Sequence, residues 1–520
     1  MIAGLLSFVK ALPCEVGANL LPIIIASVIA AYVALHFRMS FNSNAVPCIN
    51  PKSTFELSGN RVKSVFMRDG ARLIKEWFSK NPDKPVRVYG DSGPMLILPS
   101  SMAQEIRNDQ RLNFSEVTEE AFHAHLPGFE PFKLGESDHL IVKVVRKNLT
   151  KQLSKVTGLL AQETSLTLKD LLTDSIEWHE AVVCETILQL VARVSSRVFI
   201  GDELCRNDDW LKIVKEYTVT ALQAAEQLRM WSPILRPIAV RFLDSCVKTQ
   251  GMVAEARRVI KPVIDKRYKA RADAAAANVK YVESHDAMDW FATADPENLF
   301  EPATSQLALS FVVIQTTTDL LSETLFQISK HPNIIPALRE EIITIYRSDG
   351  WEKTAFYKMK LLDSVVKETQ RFKPHALISM TRLVKENFVL SDGTPLKKGQ
   401  KIAVTSTNMR DKTNYANPDE WDPYRFVKMR DDPVKQNAAH LVSTSVDHNA
   451  FGLGQHACPG RFFAANEIKV ALVSILIKYD FELPADVSPQ IYENGLALVS
   501  DPLAKLRFRR RVAEIDLDNV

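Results

Sequence analysis

Cysteine and glycine are both scarce in this chain, and neither falls into the pattern that a small scaffold would need. Its 520 residues include six cysteines (Cys14, Cys48, Cys184, Cys205, Cys246 and Cys458), widely spaced and without a CxxC pair. That excludes a zinc ribbon and disfavours a disulfide-stapled fold. The 18 glycines and 26 prolines are scattered, which removes collagen-like and broadly disordered readings, and no internal repeat is visible. Charge of one sign is lacking too: 65 Lys and Arg stand against 62 Asp and Glu, a net +3 at pH 7. Such a balance argues against an electrostatic nucleic-acid binder, and no nucleic-acid partner is expected. With 46% hydrophobic and 24% charged residues the composition is ordinary for a globular protein.

Long hydrophobic runs are equally rare, with one exception at residues 16–37 (VGANLLPIIIASVIAAYVALHF), which carry no charge. As a helix at ~1.5 Å per residue this stretch spans about 33 Å, enough for a hydrocarbon core of about 30 Å. A signal peptide has a shorter apolar core, and a buried globular helix is the other alternative; the length favours a membrane anchor. Lys10 and Glu15 cancel before the span, whereas Arg38, Lys52, Arg61 and Lys63 follow it. The positive-inside rule then puts the body of the chain in the cytosol. The expected organisation is a lumenal amino terminus over 1–15, a single transmembrane anchor over 16–37, a hinge over 38–53 marked by Pro47 and Pro51, and one cytosolic body over 54–520.

The body reads as mostly α with a small β-rich side. Apolar residues recur at three- and four-residue spacing over 178–199 and 213–228. Residues 307–328 are apolar nearly all round, which predicts a central buried helix ending before His331-Pro332. Midway it carries Gln315-Thr316-Thr317-Thr318-Asp319. Threonine hydroxyls can bond to preceding carbonyls and bend a helix. A short polar step in an otherwise buried helix favours a cavity or water channel over a solvent-facing stripe. Residues 86–89 and 94–98 flank a Gly90-Asp91-Ser92-Gly93 turn as a hairpin, and 388–390 and 401–404 read as a second one. Residues 271–284 read as an exposed loop and 418–448 as a long irregular connection.

Chemistry concentrates at residues 451–464, FGLGQHACPGRFFA. A cysteine between a glycine-containing loop and a following helix over 461–479 has amides aimed at its sulfur. Amide donors and a helix amino terminus favour thiolate, the form that ligates iron. A lone buried cysteine is otherwise a small hydrophobe; here the surrounding pattern decides. FGxGxHxCxG before an amphipathic helix resembles the haem-binding signature of the cytochrome P-450 superfamily. The resemblance implies a haem b (iron protoporphyrin IX) cofactor with Cys458 as its metal ligand, Phe451 packed beside it and His456 facing a propionate. Glu368 and Arg371 share a helix face at i, i+3, lie 90 residues before the cysteine, and match the family's K-helix pair. Arg425, within Asp422-Pro423-Tyr424-Arg425-Phe426, matches the arginine that completes a structural triad. His331-Pro332 and residues 337–342 match the adjoining J-helix region.

Two departures stand out. Where the family has a glycine and an acid before the helix threonine, this chain has Ile314 and Thr316, and Thr317 keeps the hydroxyl. The resemblance implies that the Thr317 hydroxyl bonds to bound dioxygen, and Gln315, Thr316 or water must then relay protons; Gln315, Thr316 and Thr317 are the catalytic candidates. The family's Trp-x-x-x-Arg is absent; His139 and Lys143 have the same spacing, either as propionate donors or as a solvated helix face. Arg382 fits the family's other propionate contact, where basic residues are needed because buried carboxylates without partners are costly.

The resemblance implies a P-450 fold and a monomeric haem-thiolate monooxygenase. It would sit in the endoplasmic reticulum membrane, in contact with lipid, and take electrons from NADPH-cytochrome P-450 reductase. Residues 195–201 and 459–464 look like fungal microsomal members that oxidise apolar terpenoid or polyketide small molecules in secondary metabolism. Pocket walls would come from residues 114–132, 221–234, 309–316, 376–379 and 496–499. The rivals are a reductase-independent haem-thiolate isomerase or dehydratase, and a non-catalytic membrane-anchored binding protein.

Overall fold

A computed structural model describes residues 26–27, 46–53, 56, 59–133, 135–295 and 301–518. The expected anchor over 16–37 lies outside the described residues apart from Ala26 and Ser27. Among the described residues no helix is long and apolar enough to cross a membrane.

Helices of eight residues or more are α1 (Asn60–Lys80), α2 (Gly135–Val144), α3 (Leu153–Leu172), α4 (Val183–Phe199), α5 (Asp208–Arg229), α6 (Asp244–Ala276), α7 (Ala287–Ala294), α8 (Pro302–Lys330), α9 (Ile335–Asp349), α10 (Lys360–Phe372) and α11 (Arg461–Lys478). The strands are β1 (Val86–Gly90), β2 (Gly93–Leu98), β3 (Leu112–Asn113), β4 (His179–Val182), β5 (Ile378–Val384), β6 (Phe388–Val389), β7 (Pro395–Leu396), β8 (Lys401–Thr405), β9 (Tyr479–Glu482), β10 (Ile491–Asn494), β11 (Ala497–Ser500) and β12 (Lys505–Arg510).

The expected central helix is α8. The Glu301 carboxylate accepts from the Ala303 and Thr304 amides, both at 3.1 Å, and Pro302 takes the first helical position where no N–H is required. Pro332 disfavours helical geometry at His331 and so ends it. Leu307, Ile314, Leu321 and Leu325 of α8 are buried with Ile187, Leu190 and Val194 of α4 and with Leu472 and Ile475 of α11. Burial of such side chains stabilises by about 1.5–3 kcal/mol each.

Helix α10 is capped from outside. Glu341 of α9 accepts from the Leu361 and Leu362 amides at 2.8 and 2.9 Å, satisfying donors that a helix start leaves free. Buried Asp363 of α10 accepts from Lys469 Nζ of α11, Arg430 Nη2 and the Leu441 amide, tying α10 to α11 and to the long connection. That connection is irregular as expected, with a short helix at Arg425–Met429.

The main sheet has the order β1-β2-β8-β5-β3. β1 and β2 form the expected hairpin. The second expected hairpin does not form: β6 closes on β7, while β8 is inserted parallel to β2 and antiparallel to β5. All five β8 residues are buried, so the strand is central and its pairing is long-range. The loop expected at 271–284 is also shorter, because α6 continues to Ala276 through an alanine-rich run that favours helix. Residues 178–199 divide into β4 and α4. Residues 47–50, inside the expected hinge, are strapped along β1: the Arg87 amide donates to Pro47 O at 2.8 Å and the Ile49 amide to Arg87 O at 3.1 Å. Asn50 exchanges two further bonds with the Tyr89 backbone. This covers a sheet edge that would otherwise be open.

Glu467 of α11 is buried and accepts from Ser195 Oγ at 2.6 Å; burial pushes its carboxyl up from 4.5 to about 8. Because the folded-state pKa is raised, this group's contribution to stability is present below its unfolded pKa and is lost as pH rises through the folded value. Glu467→Gln, neutral throughout, should therefore flatten the fall in stability between about pH 5 and about pH 8. Urea denaturation midpoints of both proteins at the two pH values check this.

Candidate active site

The cysteine loop is fixed by its own backbone and by its neighbours. The Cys458 amide donates to Phe451 O at 2.8 Å, which closes the loop, and Arg461 Nη1 donates to Cys458 O at 2.8 Å. The Gly460 and Arg461 amides donate toward the sulfur, as the start of α11 requires. Burial pushes the Cys458 thiol up, opposed by these two amides and by the Arg461 guanidinium. A coordinated metal cation would deprotonate it. Gly452 and Gly454 have φ of +72° and +78°. At Gly454 a Cβ would lie 2.6 Å from Arg107 O and from Asn108 Oδ1. Glycine is needed there for packing against residues 107–108, a reason independent of any ligand.

Glu368, Arg371 and Arg425 meet as expected. Arg371 Nε and Nη2 donate to the Glu368 carboxylate at 2.7 and 2.9 Å, and Arg425 Nε approaches both oxygens at 3.0 Å. Glu368 and Arg371 are fully buried. The remaining guanidinium donors reach the carbonyls of Met409, Ala416, Asn417, Pro418 and Glu420. The triad thus clamps the segment that leads toward the cysteine loop.

On α8, the turns on either side of residues 311–316 are buried, yet Val312 is 55% exposed and Thr316 is exposed. The polar step expected on this helix is thus an open face in an otherwise buried element. The three threonines differ. Thr316 Oγ1 donates back to Val312 O at 2.9 Å, whereas the Thr317 and Thr318 hydroxyls are buried without a protein partner. Gln315 is half-buried. Aromatic rings close over this stretch: Phe311 meets Phe132 edge-on at 4.6 Å and Phe122 at 5.5 Å, and Phe122 stacks on Phe132 at 4.4 Å. Two of the expected walls, 114–132 and 309–316, are therefore in contact.

Arg382 and His456 converge on one ring. The Arg382 guanidinium lies 5.5 Å from the centroid of Phe114, whose ring is 6.5 Å from His456. A bulge between Ser379 and Arg382, with Met380 at φ +54°, sets the aim of this buried arginine. The His139 side chain lies outside those described. Lys143 is exposed, and the residue of this region that touches the cysteine loop is Arg146, whose Nη2 donates to Gln455 O at 2.6 Å. No motif marks Arg146 in the sequence. The donor set fits a haem: a cysteine with amides at its sulfur, two basic residues around one ring, and an orphaned buried hydroxyl on the central helix.

The family profile of cytochrome P-450 matches residues 59–508. The chain is 43% identical to the cytochrome P-450 monooxygenase hepE of Aspergillus oryzae over 94% of this chain and 89% of that one. It is 40% identical to adrA of Penicillium rubens over 90% and 92%, and 38% identical to calE of Penicillium decumbens over 96% of each; both are cytochrome P-450 monooxygenases. The chain belongs to the cytochrome P-450 family. It is an oxidoreductase of the monooxygenase class, whose cofactor is haem iron.

Glu368→Ala leaves the buried Arg371 guanidinium and the partly buried Arg425 guanidinium without their counter-charge. It should destabilise the fold by about 3–5 kcal/mol and sharply lower the yield of haem-loaded protein. Denaturation midpoints and haem absorbance per mole of chain check both effects.

Proposed function

We propose that the protein is a haem b-dependent, haem-thiolate monooxygenase that hydroxylates an apolar terpenoid or polyketide intermediate of fungal secondary metabolism, with electrons from NADPH-cytochrome P-450 reductase. The observation that carries this reading is the buried, unpartnered Thr317 hydroxyl beside the open face of α8. Relatives from fungi that are named monooxygenases, aligned over nearly the whole chain, support it.

In this reading Cys458 holds the iron, which when bound supplies dioxygen activation, with thiolate electron donation favouring O–O cleavage. Phe451 packs beside it, and Arg382 and His456 hold the propionates. Thr316 has committed its hydroxyl to the helix backbone, while the Thr317 and Thr318 hydroxyls are both without a protein partner; Thr317, at the position where the family keeps its helix threonine, is the one to hold and pass a proton, with Gln315 two residues before it. The Phe122, Phe132 and Phe311 rings orient an apolar skeleton and keep water out.

We place the enzyme at the endoplasmic reticulum membrane, anchored by residues 16–37 with its body toward the cytosol. An exposed apolar patch between α5 and α6 supports lipid contact: Ile234 is 85% exposed and Phe242 76%, with Trp231 and Ile238 beside them in the chain.

Membranes bearing the protein and its reductase should insert oxygen from labelled dioxygen into a terpenoid or polyketide substrate only when NADPH is supplied. Rearrangement of a peroxide without NADPH would support the isomerase reading instead. Thr317→Ala should retain haem and substrate binding while product per NADPH falls by about a hundredfold and peroxide rises. Unchanged coupling would assign the proton to another group.

A further inference from the structure

Where β1 begins and β2 and β8 end, the main sheet opens into a cleft of about 1070 Å³, large enough for a small-molecule ligand. Its lining comes from α1, the turns after β2 and β8, the segment after α10, residues 446–447, β10 and β11. Among the described residues, none of α8, of 114–132 or of the cysteine loop over 451–464 lines it. The cleft is therefore a place apart from the cysteine loop and the rings over α8. Phe78, Phe372 and Val446 form its apolar wall together with Leu377 and Leu498.

Two buried side chains that line the cleft lack hydrogen-bond partners. The Ser406 amide donates to Leu377 O at 2.8 Å, which fixes the residue, and its Oγ is unpartnered at 2% exposure. The neighbouring Thr405 and Thr407 hydroxyls pair with each other at 2.9 Å and do not serve it. Asn408 Nδ2 donates to Val446 O at 2.6 Å, which orients the amide and leaves Oδ1 unpartnered at 7% exposure. Polar atoms left buried and unpaired are costly, so the two mark where a ligand's polar group belongs. Water satisfies such atoms but leaves the apolar wall uncovered. The rim adds a charge criterion. Lys75 pairs with Glu493 and Arg410 with Asp419, which leaves Asp83, Asp411 and Asp447 against Lys412.

We propose that this cleft is a second ligand site, which binds an apolar small molecule through an alcohol. An alcohol O–H donates to Asn408 Oδ1 and its oxygen accepts from Ser406 Oγ. An ether cannot donate, and a hydrocarbon can do neither. A carboxylate cannot donate to Asn408 either, and it meets an acidic rim. The haem site and the cleft can be filled at once. This site does not depend on which reaction the haem site performs.

The test uses the haem-loaded full chain with its haem site blocked by clotrimazole, a haem-ligating azole, as followed by the haem absorption band. Calorimetric titration with adamantanol, methoxyadamantane and adamantane carboxylate then reads the cleft. About one equivalent of adamantanol should bind, with the ether and the carboxylate at least about tenfold weaker. Ser406→Ala should weaken adamantanol binding by about fivefold. Ser101→Trp, at an exposed position that lines the cleft, should fill it and abolish binding. Both variants are matched to the wild type by their reduced carbon monoxide bands before titration. No binding to the blocked wild type, equal affinity for all three probes, or adamantanol binding unchanged in both variants would overturn the assignment.

Discussion

The carboxylate of Glu368, buried between two guanidinium groups, is the interaction on which the rest of the molecule depends. The chain from about Met409 to Arg425 is largely irregular, and its carbonyls need donors that no helix or strand supplies. Arg371 and Arg425 provide them at five residues, and Glu368 holds both arginines in place. The same face of α10 continues the task. Lys367 Nζ donates to His440 O and Ser443 O, Ser364 Oγ donates to Pro423 O, and Gln370 meets His448. One amphipathic helix thereby orders the whole run that ends in the cysteine loop, which explains why its inner face is polar as well as buried. Replacing such ions with apolar side chains would leave backbone carbonyls unsatisfied, so the usual advantage of a dry core does not apply here.

The central helix divides its polar residues by position. Thr316 returns its hydroxyl to the backbone, Thr317 keeps its own available, and Asp319, less than a turn further, is locked to Lys373 and β11. Asp319 is therefore an anchor between α8, the segment after α10 and β11, while the position the family gives to an acid holds a threonine. Ile314 is buried, so replacing the usual glycine adds to the core without filling the open face at Val312 and Thr316.

What could be read from the sequence was local. The cysteine signature, the i, i+3 spacing of Glu368 and Arg371, the Gly90–Gly93 turn and the apolar run of α8 each occupy a short window, and each is found where that window puts it. Arg425 needed a longer view and was found through its flanking residues. The position of β8 between β2 and β5 was not legible, because parallel pairing with a strand some 300 residues away leaves no local pattern. Arg146, the bulge that aims Arg382, and the pairing of Lys373 with Asp319 across 54 residues are long-range consequences of the same kind. Alanine-rich polarity at the end of α6 resembled a loop because exposed helix and exposed loop share a composition.

The central claim is that Cys458, presented by a loop that Glu368 indirectly holds, binds haem iron as a thiolate. A reduced carbon monoxide difference spectrum tests it most directly, recorded on membranes with the native chain and with Cys458→Ala. The account predicts the strongly red-shifted carbonyl band of a thiolate-ligated haem in the native protein and its complete loss in the variant. The same band in both, or a histidine-type band in freshly prepared native protein, would contradict it.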